Sequence, residues 1–568
     1  MEQTKVRELQ DVVIRFSGDS GDGMQLTGTL FSDTSALLGN GISTFPDYPA
    51  EIRAPQGTVA GVSGFQVHFG DHRELNPGDY CDVLVAMNPA ALKANRKWLK
   101  AGATVILDGD SLTEEHLKKA GFATLDPLEE LKLDEYNVVI PGITSMTREA
   151  LKDTGLDNKA IVKCKNMFAL GICFWLFDRP EDYALKYLDG KFAKKNPAVA
   201  EANKLAIAAG YNYAANTHQF ANNYTVAPAP REKGTYRSIN GNVATAWGLC
   251  AAAEKAGLPL FCGSYPITSG PGLSLKSEAL GLAVMTELPL VVVDVQRGGP
   301  STGLPTKTEQ SDLAQALYGR NGECPVIVVA ASSPSDCFHY AFEAGRLAME
   351  HMTPVILLTD GFIANGSEPW RIPSMKDYPA IQPPIVDKAP EGGFMPYVRN
   401  EKLARGWAFP GKVGLEHRVG GLEKDCVKGC ISHDPSNHQK MTRTRAEKVA
   451  KVAEDIPAQT VYGDAEGDLL VVGWGGTRGH LQNAVDEMRR EGKKVSLCHF
   501  NYINPLPKGV REIFSKFGKI VVCELNEGQF ANYLRQNLQE FPYEQYNKCE
   551  GLPFTVVELK QKFESLLK

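Results

Sequence analysis

The sequence predicts an α/β protein made of three successive α/β units. Short apolar runs recur along the chain with amphipathic stretches between them, the pattern of buried strands alternating with helices. Polar or Pro- and Gly-rich stretches interrupt that alternation twice. The chain has 568 residues, too many for one core; at roughly 150 residues per domain it holds about three or four.

The first unit is read over 1–190. Val12–Phe16 is a strand, followed by a Gly-rich turn and a helix over Met24–Leu38. Asp82–Met87, Thr104–Leu107 and Val138–Ile140 are further strands, giving a mostly parallel, doubly wound sheet. A polar, Ala-rich connector spans 191–234 and ends in an extended, Pro-containing linker, Asn223–Lys233. The second unit, 235–375, shows four buried strands: Leu258–Gly263, Leu290–Val295, Pro325–Ala330 and Pro354–Thr359. An irregular region, 376–455, is rich in Pro, Gly and charge as far as about Asn437 and closes with a charged helix, Met441–Glu454. The third unit, 456–568, carries strands Leu469–Val472, Val495–His499 and Ile520–Cys523.

Composition excludes several functions. The net charge is −6 with no long basic run, which argues against nucleic acid, because phosphate neutralisation needs clustered Lys and Arg. No uncharged apolar stretch reaches the ~20 residues that span a bilayer. The charged start MEQTKVRELQDVVIRF has no apolar signal core, so a cytoplasmic protein is expected. The 12 cysteines form no CxxC pair, so neither a four-iron cluster nor a structural zinc is expected in this chain, and no metal ligands are assigned. His68 and His72 flank Gly70 in a loop-like stretch and read as structural or exposed.

Three segments carry candidate chemistry. Gly18-Asp19-Ser20-Gly21-Asp22-Gly23 joins the first strand to the first helix. Glycines there let backbone N–H groups approach an anion beside a helix N-terminus, which makes a phosphate cradle; the alternative is a tight strand–helix turn. Tyr265-Pro266-Ile267-Thr268 ends an expected strand, where ligands of open α/β sheets sit, and Ser269-Gly270-Pro271-Gly272 opens a helix over Leu273–Thr286. The run from Gln296 to Lys307, QRGGPSTGLPTK, puts Arg297 at a strand's carboxyl end, where its planar fork suits a carboxylate.

These residues resemble the alpha subunit of 2-oxoacid:ferredoxin oxidoreductases. The resemblance rests on Tyr265–Thr268, on Ser269–Gly272, and on the stretch from Leu288 to Pro325 that includes QRGGPSTG. The N-terminal SGDSGDGM, Phe45–Pro55, and Asn166 in CKNMFALG resemble that family's gamma domain, and the order gamma then alpha resembles the 2-oxoglutarate type. The resemblance implies conversion of a 2-oxoacid and coenzyme A to an acyl-CoA, carbon dioxide and reduced ferredoxin, reversibly. Pyruvate or branched 2-oxoacids remain alternative substrates, and a non-catalytic coenzyme-A-binding assembly subunit is the alternative role. Thr268 and Arg297 are the implied catalytic residues. Both would bind substrate, with Lys307 beside them. Tyr265, Pro266 and Ile267 would contact thiamine diphosphate, and Gly18 to Gly23 would receive coenzyme A.

The resemblance also implies a separate beta subunit carrying magnesium and a 4Fe–4S cluster and sharing the thiamine diphosphate, in a dimer of alpha–beta heterodimers. Gly21-Asp22-Gly23 looks like the start of a thiamine–magnesium motif, but that motif needs an Asn pair downstream. The corresponding stretch, Gly41–Glu51, has no Asn, and Asn222-Asn223 is far away. The last unit resembles the transketolase C-terminal domain. One departure stands out. YPIT and TSGPG are separate motifs in the family but merge here at Thr268, and the missing stretch normally carries the glutamate that activates thiamine. The acids left nearby are Glu278, Asp294 and Glu309, and none is placed to replace it.

Overall fold

A computed structural model describes residues 5–49, 54–220, 222–263 and 269–568. The chain divides into two compact units, Met1–Ser238 with Gly366–Arg371, and Ile239–Asn365 with Ile372–Lys568. Both are α/β, and the second and third sequence units share one body.

In the first unit, strands β1 (Lys5–Leu9), β2 (Asp11–Asp19), β3 (Gly41–Asp47), β4 (Val62–Gly70), β5 (Cys81–Ala86), β6 (Leu99–Leu107) and β7 (Asn137–Val139) are joined by helices that include α1 (Met24–Leu37). The main sheet has the order β3-β4-β2-β5-β6-β7. Its β2-β5-β6-β7 part is parallel, as expected, but β4 runs antiparallel to both β2 and β3. The two antiparallel strands escaped the sequence reading for a physical reason. Pro46 breaks the pattern of β3 and is tolerated because β3 is an edge strand. On β4 the polar residues Ser63, Gln66 and His68 are buried rather than facing water. His68 therefore lies on a strand, not in a loop; its Nδ1 sits 2.8 Å from the Asn76 carbonyl oxygen. His72 follows the strand and is exposed.

The expected connector, 191–234, is part of this unit's core. Helix α2 (Lys165–Leu176) is followed by α3 (Asp182–Leu188), and then α4 (Pro197–Thr217) packs along α2. Two glycines allow the close approach. A Cβ on Gly171 would meet the Ile207 carbonyl oxygen at 2.0 Å, and one on Gly210 would meet that of Phe168 at 1.9 Å. Beyond α4, β8 (Asn222–Val226) pairs in parallel with β1, and Asn40 Nδ2 donates to the Val226 and Ala227 carbonyls. An Ala-rich helix reads as polar filler in sequence, yet small residues are what let two helix backbones touch.

The second unit contains α5 (Gly241–Ala256), α6 (Gly270–Ser274), α7 (Ser277–Thr286), β9 (Leu290–Gln296), α8 (Leu313–Tyr318), β10 (Ile327–Ala330), α9 (Asp336–His351), β11 (Pro354–Asp360) and α10 (Pro435–Lys451). The helix expected over Leu273–Thr286 is thus two helices. After α10 come β12 (Gly467–Trp474), β13 (Val495–Phe500), β14 (Tyr502–Asn504), β15 (Phe517–Glu524) and β16 (Glu544–Asn547). One sheet runs β9-β11-β10-β14 and the other, all parallel, runs β13-β12-β15-β16. Because β14 crosses from the C-terminal block, a single core holds Ile356 and Leu358 of one sheet with Val472 and Trp474 of the other.

The strand expected at Leu258–Gly263 is absent. Those residues are irregular, with Leu260 48% and Phe261 94% exposed. An apolar run becomes a strand only when its backbone groups find ladder partners. Among the described residues it has none, and β9, at the end of the strand order, keeps an open edge.

Candidate functional site

Two groups of residues gather at carboxyl ends of strands, one in each unit.

In the first unit, β2 runs into the loop Gly18–Gly23 beside the ends of β5 and β6. Gly23 holds φ +75 at the N-terminus of α1, and no side chain caps that helix. The loop's acids are engaged internally. Asp19 accepts from the Gly57 N–H at 3.1 Å, and Asp22 accepts from the Asp19 N–H at 2.9 Å and pairs with Lys165 at 3.0 Å. Burial, partly offset by the Gly57 N–H, raises the Asp19 carboxyl above its ordinary value. Asn166 lies against the turn: its Nδ2 donates to the Gly23 carbonyl at 3.3 Å, while its buried Oδ1 has no partner among the described residues. A Cβ on Gly23 would strike that amide at 2.6 Å, and one on Gly18 would strike Asp22 at 2.8 Å. The glycines are therefore required by close packing as well as by any ligand. The uncapped helix start and Lys165 fit a phosphate-bearing group.

In the second unit, β9 ends at Gln296 in register with Asp360 of β11. Arg297 leaves this edge half-buried, and its Nε has no partner among the described residues. The following loop folds back on itself. The Gly298 N–H donates to the Lys307 carbonyl at 2.9 Å, and the Leu304 N–H donates to the Gly298 carbonyl at 2.9 Å. Gly303 lies so close to Gly298 that a Cβ would sit 2.0 Å from its carbonyl oxygen. Lys307 is half-buried in this closed loop.

The polar run after Lys307 locks the loop in place. Thr308 Oγ1 donates to Asp360 at 2.9 Å. Glu309 accepts from the Gly551 N–H at 3.1 Å, and burial raises its carboxyl. Gln310 donates to the Trp474 carbonyl and accepts from the Leu525 N–H. The C-terminal block thus braces the Arg297 loop directly. Asp312 accepts from Ser269 Oγ at 2.6 Å and from the Gly270 N–H at 2.9 Å, and its own N–H donates to Gln296. Asp294, on β9, is 3% exposed; its Oδ2 has no partner among the described residues. Burial, reinforced by Asp312, pushes its carboxyl well above the ordinary range.

Of the expected residues, Arg297 and Lys307 share one loop. Tyr265, Pro266, Ile267 and Thr268 lie outside the described residues. Ser269, just after them, holds φ 72 and ψ −155, a region occupied almost solely by glycine. Glu278 is exposed on α7. Gln296, Gln310, Asp312 and Asp360 were missed by sequence reasoning. For Gln310 and Asp312 the signal was the polar run Thr308–Asp312, which is buried almost throughout. No group of three or more His, Cys, Asp or Glu among the described residues is placed to hold a metal. None of the described helices is long and apolar enough to cross a membrane.

Three family models match the chain: pyruvate ferredoxin/flavodoxin oxidoreductase over 13–213, the thiamine-diphosphate-binding part of pyruvate flavodoxin/ferredoxin oxidoreductase over 246–431, and pyruvate:ferredoxin oxidoreductase core domain II over 467–559. The 2-oxoglutarate oxidoreductase subunit KorA of Mycobacterium tuberculosis is 46% identical across 97% of this chain and 91% of its own length. The chain belongs to the 2-oxoacid:ferredoxin oxidoreductase family. Subunit alpha of 2-oxoacid:ferredoxin oxidoreductase 1 from Aeropyrum pernix is 30% identical across 93% of this chain and 92% of its own. Among solved structures, the 2-oxoglutarate:ferredoxin oxidoreductase of Magnetococcus marinus, with 2-oxoglutarate, coenzyme A and succinyl-CoA bound, matches at a TM-score of 0.83 and 27% identity, covering 99% of this chain and 100% of that one. The alignment to the Mycobacterium protein runs over 601 positions, longer than this chain's 568 residues. That relative therefore carries residues without a counterpart here.

Proposed function

We propose that the chain is the alpha subunit of a 2-oxoglutarate:ferredoxin oxidoreductase, its gamma-type domain fused at the N-terminus, forming succinyl-CoA, carbon dioxide and reduced ferredoxin from 2-oxoglutarate and coenzyme A. The observation that carries the reading is Arg297. It is a half-buried guanidinium at a strand end, with an N–H unpartnered among the described residues, in a loop held on both sides. Its fork receives the oxoacid carboxylate, and Lys307 lies on the same loop to favour a second one. Thr268 would complete the oxoacid site, and Tyr265, Pro266 and Ile267 would line the thiamine. Thiamine diphosphate supplies the carbanion chemistry when bound. This chain's own residues bind and orient the oxoacid.

The loop Gly18–Gly23 receives coenzyme A, with the α1 N-terminus and Lys165 facing its phosphates and Asn166 fixing the turn. Magnesium and the 4Fe–4S cluster belong to a beta subunit in a dimer of heterodimers, and ferredoxin takes the electrons. The reading is tested by incubating the copurified complex with coenzyme A, an electron acceptor and one oxoacid at a time. Succinyl-CoA from 2-oxoglutarate, exceeding acetyl-CoA from pyruvate and branched acyl-CoA from branched oxoacids, is expected by mass spectrometry. An equal or larger yield from pyruvate would overturn the substrate assignment.

A further inference from the structure

Gly298 and Gly299 follow Arg297, and glycine leaves a backbone more freedom than any other residue. The Arg297 fork presents one geometry only if that freedom is removed. On the strand side the backbone is fixed: Gln296 is in register with Asp360, and the Arg297 carbonyl accepts from Ser311 Oγ at 2.7 Å. On the loop side, the Gly298 N–H donates to the Lys307 carbonyl at 2.9 Å. The Gly299 N–H has a different partner, the carboxylate of Glu309.

Glu309 is 8% exposed and accepts a second backbone bond, from the Gly551 N–H at 3.1 Å. Gly551 comes from the C-terminal block and lies on the returning limb of the loop. A Cβ on it would meet Lys307 Cβ at 2.7 Å and Leu304 Cδ1 at 3.2 Å. A Cβ on Gly298 would lie 3.3 Å from the Glu309 carboxyl. One carboxylate thus ties the joint after Arg297 to the segment packed on the loop's other limb. An ionised carboxylate suits this place because it is acceptor-only and both of its contacts are N–H donors. A neutral acid or an amide turns one of the two oxygens into a donor group, and bonds to a neutral acceptor are weaker.

We propose that Glu309 is a positioning residue for the oxoacid: by holding Gly299 against Gly551 it fixes where Arg297 presents its fork. The proposal rests on the reading of Arg297 as the partner of the oxoacid carboxylate. It makes oxoacid binding depend on the ionisation of Glu309. Burial raises the Glu309 carboxyl, the Gly551 and Gly299 N–H groups draw it down, and the charge of Asp312 raises it; the net shift is upward. Cys549 of the C-terminal block faces the same carboxyl, and Lys307 lies beside Gly551. The two backbone bonds are complete while Glu309 is ionised. They weaken as pH falls through a value above the ordinary carboxylate range.

The test is steady-state ferredoxin reduction by the copurified complex, with 2-oxoglutarate and coenzyme A varied separately from about pH 8 to about pH 5.5. Glu309→Gln, nearly the same shape, should raise the KM for 2-oxoglutarate about tenfold at neutral pH and leave kcat and the KM for coenzyme A within about twofold. The wild-type KM for 2-oxoglutarate should rise toward acid, and Glu309→Gln should abolish that rise. In an Arg297→Ala background, Glu309→Gln should add less than about twofold, because Glu309 acts through Arg297. Full additivity of the two substitutions, or an acid-side rise that survives Glu309→Gln, would overturn the proposal and leave Arg297 as the oxoacid's partner. An equal rise in the KM for coenzyme A would make Glu309 merely structural and overturn it too. An unchanged KM for 2-oxoglutarate in Arg297→Ala would overturn both the proposal and the reading of Arg297.

Discussion

Arg297 is the residue on which the functional reading turns. Removing a desolvated, charge-assisted partner costs on the order of 2–5 kcal/mol, tens- to thousands-fold in rate. Arg297→Ala should therefore depress kcat/KM for the oxoacid by that factor and leave the dependence on coenzyme A nearly unchanged. Steady-state kinetics with each substrate varied separately check this. Asp294 makes a second prediction. Its folded pKa is raised above the ordinary ~3.9 of an unfolded carboxyl. Its stabilising contribution is then complete below that value and is lost as pH rises toward the folded one. Asp294→Asn should remove this component, so the difference in denaturation midpoint between the two proteins should shift in favour of the variant from acid to neutral pH. Parallel midpoint profiles for wild type and variant would contradict the burial argument.

At the scale of elements, the irregular region is pinned by a buried ion cluster. Glu287, 1% exposed at the end of α7, pairs with Arg399 at 2.5 Å and with Lys448 of α10 at 2.6 Å. Burial alone would raise the Glu287 carboxyl, but Lys448 and Arg399 outweigh it and hold it at about 2. Glu287→Gln leaves two cations without their shared anion and should cost about 3–5 kcal/mol, measured by chemical denaturation. A loss below 1 kcal/mol would mean the region is held by other contacts. The contact of α2 with α4 gives a parallel test. Gly210→Ala forces a methyl group against the Phe168 carbonyl and should cost at least the ~1–3 kcal/mol of overpacking; an unchanged denaturation midpoint would return 191–234 to the status of a connector.

These elements also show what the sequence could and could not reveal. The parallel strands β2, β5, β6, β11, β12 and β15 were legible because each centres on an apolar run that is largely buried, and half-buried β9 because its run Leu290–Val293 is apolar throughout. Strand β4 was not, because its buried polar side chains imitate a solvated face. Leu258–Gly263 misled for the opposite reason, since its apolar run pairs with no strand among the described residues. The Arg297 loop was legible from its glycines, prolines and lone arginine. Gln310 and Asp312 were not, because their partners Trp474, Leu525 and Ser269 come from elsewhere in the chain.

For the whole molecule, the merged motif gives a conditional prediction: slow chemistry if the protein lacks the stretch between the two motifs, normal chemistry if it carries it. Thiamine becomes a nucleophile when a buried acid stabilises the imino form of its pyrimidine ring. Glu278 is exposed, Glu309 is bound to the Gly551 N–H, and Asp294 lies buried on β9. On these positions we expect none of the three to replace the glutamate of the missing stretch. A complex built on the 61.9 kDa chain should therefore exchange the thiamine C2 proton slowly, and fast exchange from a chain of that confirmed mass would show another acid at work. Slow chemistry still has the substrate dependence of its family. The most direct measurement is anaerobic reduction of ferredoxin by the copurified complex. The account predicts reduction, at a low rate, that requires 2-oxoglutarate and coenzyme A together. Reduction driven equally well without coenzyme A, or by pyruvate and not by 2-oxoglutarate, would contradict it.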